Sequence, residues 1–429
     1  MSRRILRRAL AAALVISLLP AAAGAQDLLI RGATVHTAGP QGTLRDADVL
    51  VRGGRIAAVG HGLQAGGAQV VEAGGRPLTP ALFAGITDIG VEEVSGESRT
   101  VDHRVSLGEN AKDMQVRPEF DVSLAYNPES VLIPVARVEG FGWTMTAASP
   151  VGGGSFIGGQ AGAFRFDGSL DPIGPRALFI TLGSAGAHLT GGSRAAQWMI
   201  LDQLLDEVRG RIAPDSRFAL LTPAGRATLS RYFAGNGRIA LNVERAADIR
   251  RALRWAKARE VKIALVGAGE AWKVAPEIAA AGVPVFIDVL ANLPADFDQI
   301  GATQENATRL AAAGVQVAFS LGSDASHYAR KQRQLAGNAV AHGLPWETAL
   351  AGLTRVPAEA FGVQGEIGTI APGRRADLVL WSGDPLDVAE TARQVWMGGR
   401  AVPMKSRQTE LRDRYLQAHP QGLPPAYRD

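Results

Sequence analysis

The chain has no cysteine in its 429 residues. That absence removes disulfide frameworks, thiolate zinc sites, iron–sulfur clusters and a cysteine nucleophile together. Histidine is scarce too, with seven copies and none between His188 and His327. Any metal must be held by those few imidazoles, by Asp and Glu, or by a modified Lys. Beyond residue 25 no apolar run approaches the roughly 20 residues of a spanning helix. No Gly-x-Ser-x-Gly occurs, so a nucleophile-elbow triad has no basis. The glycines between Pro150 and Gly162 precede no Gly-Lys-Ser/Thr and fit no dinucleotide fingerprint, so that stretch reads as a flexible or tightly turning loop.

What is present suits a large globular protein. Apolar residues make up 46% and charged residues 20%, enough for a sizeable core and too apolar for wholesale disorder. The length fits one large barrel or two to three domains. Of the 45 Lys and Arg, four (Arg3, Arg4, Arg7 and Arg8) lie in the first 25 residues, which carry no acid. The other 41 face 41 Asp and Glu. A neutral remainder gives no reason to expect nucleic acid or an anionic membrane as partner.

Met1 to Ala25 has a basic start, an apolar run from Ala9 to Leu19, and Ala23-Gly24-Ala25 before Gln26. This is the pattern of a secretory signal peptide with an A-x-A cleavage site, so an exported, periplasmic protein is expected. Ser2-Arg3-Arg4 hints at twin-arginine export, but Arg7 sits where that signal prefers an apolar residue.

Short strand-like runs follow. Leu28 to Val35 is one, and Val49 to Val59 reads as a hairpin turning at Gly53-Gly54. Ala376 to Trp381 and Val395 to Met397 form a matching block near the other end. Small β pieces at both ends of a long middle predict one β-domain assembled from both. The middle alternates strand and helix: Ile239–Val243, helix Arg245–Arg259, Lys262–Val266, helix Ala271–Ala280, Val283–Ile287, helix Asn306–Ala313, Val315–Ser320. That is the rhythm of βα units, in either a closed barrel or an open sheet. From Val91 to Val131 the pattern gives way to a polar, irregular stretch suited to a long loop over a barrel mouth, and Asn127-Pro128 predicts a helix start.

Residues 365–379, Gly-Glu-Ile-Gly-Thr-Ile-Ala-Pro-Gly-Arg-Arg-Ala-Asp-Leu-Val, closely resemble the segment that returns the chain from barrel to β-domain in the amidohydrolase superfamily. Val49 to Gly60 followed by Leu78 to Leu82 resembles that family's approach to the first barrel strand. Leu241–Ile249 and Val266–Ala275 are similar to its imidazolonepropionase-like branch. The resemblance implies a (β/α)8 TIM-like barrel with a small discontinuous β-sandwich domain formed by both termini. In boundaries, it implies a signal at 1–25, sandwich at 26–79 and 361–405, barrel at 80–360, and a tail at 406–429. It also implies hydrolysis of amide, cyclic amide or related non-peptide C–N bonds. Such chemistry needs an activated water, a polarised carbonyl and a carboxylate to shuttle the proton.

The family places His-x-His on strand 1, His on strands 5 and 6, and Asp on strand 8, with divalent metal such as zinc as the norm. Here the strand 1 pair falls on Ile86 and Asp88, the strand 5 position on Asn242 with Glu244 nearby, and the strand 6 position within Val266–Gly269. The imidazole cage is missing, so no metal cofactor and no binuclear zinc are expected. Ser323-Asp324 matches strand 8, and two readings of Asp324 stand: a retained general base or binding carboxylate, or a helix N-cap.

Asp88, Asn242, Glu244 and His327 are candidate substrate-binding residues, and Asp88, Glu244 and Asp324 offer a carboxylate-only cation site as an alternative to ordinary salt bridges. Glu92, Glu93, Glu270 and His103 also follow strands or lie in the mouth loop, whereas His188 and His342 have no supporting pattern. Two functions follow: a hydrolase with an altered site, acting on a small molecule, or a catalytically silent relative. The latter would bind a small ligand, or pair as a homodimer or with an active homologue.

Overall fold

Apolar segments separated by polar loops arrange themselves into two sheets. A computed structural model describes residues 27–105, 116–150, 154–291, 293–294, 296–322 and 325–416. The signal-like segment and Asp324 lie outside the described residues.

The first sheet draws on both ends of the chain. Leu28–His36, Thr43–Arg52, Arg55–Gly60, Gln69–Glu72 and Pro77–Pro80 come from before the barrel; Leu378–Trp381, Ala392–Met397 and Arg400–Ala401 come from after it. Pro77–Pro80 pairs antiparallel with Leu378–Trp381 and so joins the two halves. The hairpin read from the sequence turns at Gly53 and Gly54, whose φ values of 54° and 80° suit a two-residue turn that side chains would strain. Leu28, Ile30, Val49, Val51, Leu78, Leu378 and Trp396 give this sheet its own apolar cluster.

The second sheet holds eight strands in chain order: β1 (Leu82–Thr87), β2 (Phe141–Thr146), β3 (Ile157–Arg165), β4 (Ile173–Thr181), β5 (Arg238–Val243), β6 (Ile263–Gly267), β7 (Val285–Ile287) and β8 (Val317–Phe319). It is barrel-like and nearly closed. Ile86 N–H, on β1, donates to Ser320 Oγ just beyond β8 at 3.1 Å. Alanines at 161, 163, 177, 240, 264 and 318 leave room inside for Phe83, Trp143, Phe179 and Phe286. Phe83 lies 4.5 Å from Trp143 and 6.1 Å from Phe286 between ring centroids, so the interior is a packed core.

The helix Ala246–Arg259 buries Ile249, Ala252, Leu253 and Ala256, the spacing of one helical face, and ends at Glu260 in the left-handed region. Ala275–Ala281, Asn306–Ala312 and Lys331–Ala341 follow β6, β7 and β8 in the same rhythm.

Three details differ from the sequence reading. The barrel-like sheet departs from an even βα rhythm at one strand, because β3 runs antiparallel to both β2 and β4. Only residues 147–156 and 166–172 join these strands, less than the dozen or so residues a parallel crossover requires. The Gly-rich stretch read as a loop supplies much of β3. A Cβ on Gly158 would lie 2.3 Å from Ala148 O, and one on Gly159 2.6 Å from Phe120 O. These glycines admit close backbone approach and irregular register, not slack. The helix expected at Asn127-Pro128 begins instead at Leu132, because Asn127 Oδ1 accepts Glu129 N–H and holds a turn there.

Candidate active site at the barrel mouth

The C-terminal end of β1 turns sharply. Asp88 O accepts the N–H groups of Val91 and Glu92, which sets Glu92 one turn above Asp88. The chain then leaves through Ser98–Thr100, capped by Glu97, and returns beside its own outward path, where Glu92 bridges Val101 and Asp102 N–H donates to Val91 O. His103 is thereby folded back over Asp88 and Glu92, and its carbonyl is fixed by Ser149 N–H at 3.0 Å. Gly90 is required in this turn: at φ 86°, a Cβ would lie 2.4 Å from Tyr126, which stacks on Phe164.

The result is a cluster of two carboxylates and an imidazole. His103 Nδ1 lies 3.3 Å from Glu92 Oε2 and 3.9 Å from Asp88 Oδ2. One ligand-capable atom from each of Asp88, Glu92 and His103 falls within 4.8 Å of the others. Glu92 and His103 are buried and Asp88 is partly buried. Burial, helped by the charge of Glu92, pushes the Asp88 carboxyl up to about 7. Burial, with Arg104 nearby, holds the His103 imidazole down to about 4, so it is neutral near neutrality. Among the described residues, Asp88 Oδ1 and His103 Nδ1 are buried without a hydrogen-bond partner.

The segment after β8 completes this corner. Asp88 N–H donates to Ser326 Oγ at 2.8 Å, and His327 Nε2 stands 3.9 Å from Glu92 Oε1 with a third of its side chain exposed. Of the residues singled out from sequence, the structure thus brings Asp88, Glu92, His103 and His327 together. Ser326, which joins them, carries no sequence signal beyond its closeness to Ser323-Asp324.

The other candidates lie at the ends of other strands and in other loops. Glu244 Oε2 accepts Gly269 N–H at 2.7 Å, and burial raises its carboxyl above the ordinary glutamate value. It packs so closely under Gly267 that a Cβ there would sit 2.0 Å from its Oε1. Glu270 accepts from Ala246 N–H, Gly301 N–H and Lys273 Nζ, which makes it a clamp between loops. Of the carboxylate-only trio, Glu244 is held in the β5–β6 loops, Asp88 stands with Glu92 and His103, and Asp324 lies outside the described residues. Glu93 accepts from Asn127 Nδ2. Asn242 is exposed near the end of β5, in register with Thr181 and Val266.

The binuclear histidine cage implied by the resemblance does not fit this chain. Ile86 is a buried apolar side chain, and β5 and β6 carry no histidine.

The class defined by this fold and mouth is a mixed α/β, barrel-like protein with its polar cluster at the strand ends. The amidohydrolase family profile matches residues 310–403. Amidohydrolase tasK of Hapsidospora irregularis is 43% identical over 60 residues, covering 14% of this chain and 6% of the relative. Imidazolonepropionase of Acidiphilium cryptum is 51% identical over 45 residues, covering 10% and 11%. The chain thus matches only a small part of either curated relative. A solved amidohydrolase from Thermotoga maritima MSB8 superposes with TM-score 0.76 at 23% identity, over 88% of this chain and 100% of that one. The resemblance to the amidohydrolase superfamily, read from residues 365–379, is borne out. Among the described residues no helix is long and apolar enough to cross a membrane.

Proposed function

We propose that the protein is a hydrolase of non-peptide C–N bonds, in amides or cyclic amides of small molecules, and that it works at the C-terminal mouth of its barrel. The observation that carries this reading is the meeting of the β1 and β8 ends, where Asp88 N–H bonds Ser326 Oγ beside Glu92, His103 and His327. Barrel enzymes of this kind build their sites at that face, and the superfamily likeness supplies the reaction class.

Hydrolysis requires water to attack the carbonyl carbon while a base takes its proton, then protonation of the departing nitrogen as the C–N bond breaks. Asp324, at the position matching the family's catalytic carboxylate, is the base in this reading. His327, half-buried and open to the mouth, is the group to protonate the nitrogen. Asp88, Asn242 and Glu244 orient the substrate. We further read residues 1–25 as a removed signal, a TIM-like barrel core with the terminal strands as its sandwich domain, and the site of action as outside the cytoplasm. Intact-mass measurement of exported protein beginning near Gln26 tests the processing.

A second reading has its own observation. With Ile86, Asn242 and the stretch Val266–Gly269 at three ligand positions, the chain would bind a small ligand without turnover, alone or paired with an active homologue. Asp324→Asn separates the two when tested on a panel of N-acyl and cyclic amide substrates. Loss of hydrolysis with near-normal melting supports the base. Full activity removes Asp324 from the mechanism. No turnover by either protein, with ligand-induced stabilisation of the wild type, supports the binding role.

A further inference from the structure

We propose that Asp88, Glu92 and His103 form a mononuclear site for a divalent first-row transition ion, distinct in its ligands from the histidine cage of the superfamily. The site lies within the mouth assigned above, but it rests on its own geometry and not on hydrolysis.

The first argument is spacing. Donors about 2.1 Å from one shared ion lie roughly 3–4 Å from each other in tetrahedral or octahedral arrangements. His103 Nδ1 stands 3.3 Å from Glu92 Oε2 and 3.9 Å from Asp88 Oδ2, which fits that range. The second is satisfaction. The His103 side chain is 6% exposed, and its Nδ1, aimed between two carboxylates, makes no hydrogen bond among the described residues; Asp88 Oδ1 is orphaned likewise. A buried polar atom without a partner costs about 1–3 kcal/mol, and two at one point indicate a missing partner common to both.

The third argument is charge. Two carboxylates share a largely buried corner with an imidazole, an arrangement that a divalent ion balances. An imidazole with two carboxylates suits zinc or manganese better than calcium or magnesium. His327 Nε2 stands 3.9 Å from Glu92 Oε1 with a third of its side chain exposed.

Cobalt(II) reports directly on such a site. The wild-type chain, stripped with chelator and titrated with Co²⁺, Zn²⁺ or Mn²⁺, is expected to take up one ion per chain and to melt higher when loaded. Visible d–d absorption should accompany the cobalt. Glu92→Gln and His103→Ala should each weaken binding by at least about tenfold and abolish that absorption, while the exposed His188→Ala leaves both unchanged. Melting of the chelated variants shows that they fold; should one not fold, wild-type stoichiometry and the other variant decide. Failure of the wild type to bind a stoichiometric ion overturns the proposal, as does unchanged binding in the variants. Stoichiometric metal without turnover would instead defeat the hydrolase reading alone. Turnover by metal-free protein would defeat the metal site as a functional one.

Discussion

Asp88 N–H and Ser326 Oγ meet at 2.8 Å across a separation of 238 residues. This one bond fastens the end of the first barrel strand to the segment beyond the last. Ile86 N–H to Ser320 Oγ lies one step below it, so two serines stitch the seam of the sheet.

Ser326→Ala should leave the partly buried Asp88 N–H without its partner. The expected cost is about 1–3 kcal/mol, read as a lower urea midpoint with an unchanged m-value. A hydrolase using this mouth should also lose activity beyond what the stability change explains. An unchanged midpoint would mean that the seam is held elsewhere.

Gly159 and Gly168 separate conformational cost from collision. Both have positive φ, at 122° and 88°, but a Cβ on Gly168 meets nothing within 4 Å and one on Gly159 lies 2.6 Å from Phe120 O. Gly168→Ala should cost about 1–2 kcal/mol through backbone strain. Gly159→Ala should cost at least about twice as much, because backbone must also move. Equal losses in a denaturation series would refute the close-packed account of β3.

Glu244 gives a pH dependence with a definite sign. Burial raises its folded-state value, so the folded chain holds this proton more tightly than the unfolded chain, which releases it near about 4.3. The associated stability is complete below that unfolded value and is lost as pH rises through the folded one. Glu244→Gln cannot ionise and can still accept the Gly269 N–H. The melting temperature of the variant relative to wild type should therefore climb from acid to neutral pH, and a flat difference would count against the raised value.

Arg375 holds two partly desolvated carboxylates, with Nη2 at 2.6 Å from Asp167 and Nε at 2.8 Å from Asp377. Asp377 also accepts Gly398 N–H at 2.6 Å. Arg375→Met would leave buried Asp377 without its ion-pair partner, while Asp167 keeps Arg165 and Ser169, at a cost of about 3 kcal/mol. Calorimetry should show a large fall in melting temperature, strongest above the carboxylate range and relieved in acid.

The strands β5 to β8 and their helices were legible because apolar residues repeat with the right period between Arg238 and Phe319, and the terminal hairpin because Gly53-Gly54 marks its turn. β3 was not, since the same glycines that loosen a loop also allow the tight approach of Gly158 to Ala148 and Gly159 to Phe120. Asp88 could be found by counting from Thr79-Pro80. Its grouping with Glu92 and His103 could not, because it depends on a non-periodic loop doubling back at Val101. The link to Ser326 depends on barrel closure, which no local pattern encodes.

The matched span supplies the fastening of the returning chain and the β8 side of the mouth, whereas the Asp88 cluster comes from the β1 side. Arg375 and Asp377 fasten the returning chain to the terminal sheet and fall within the matched span 310–403; Asp88, Glu92 and His103 fall outside it. A substitution at Asp88, Glu92 or His103 therefore alters one wall of the mouth while the clasp of Arg375 on Asp377 stays as it is.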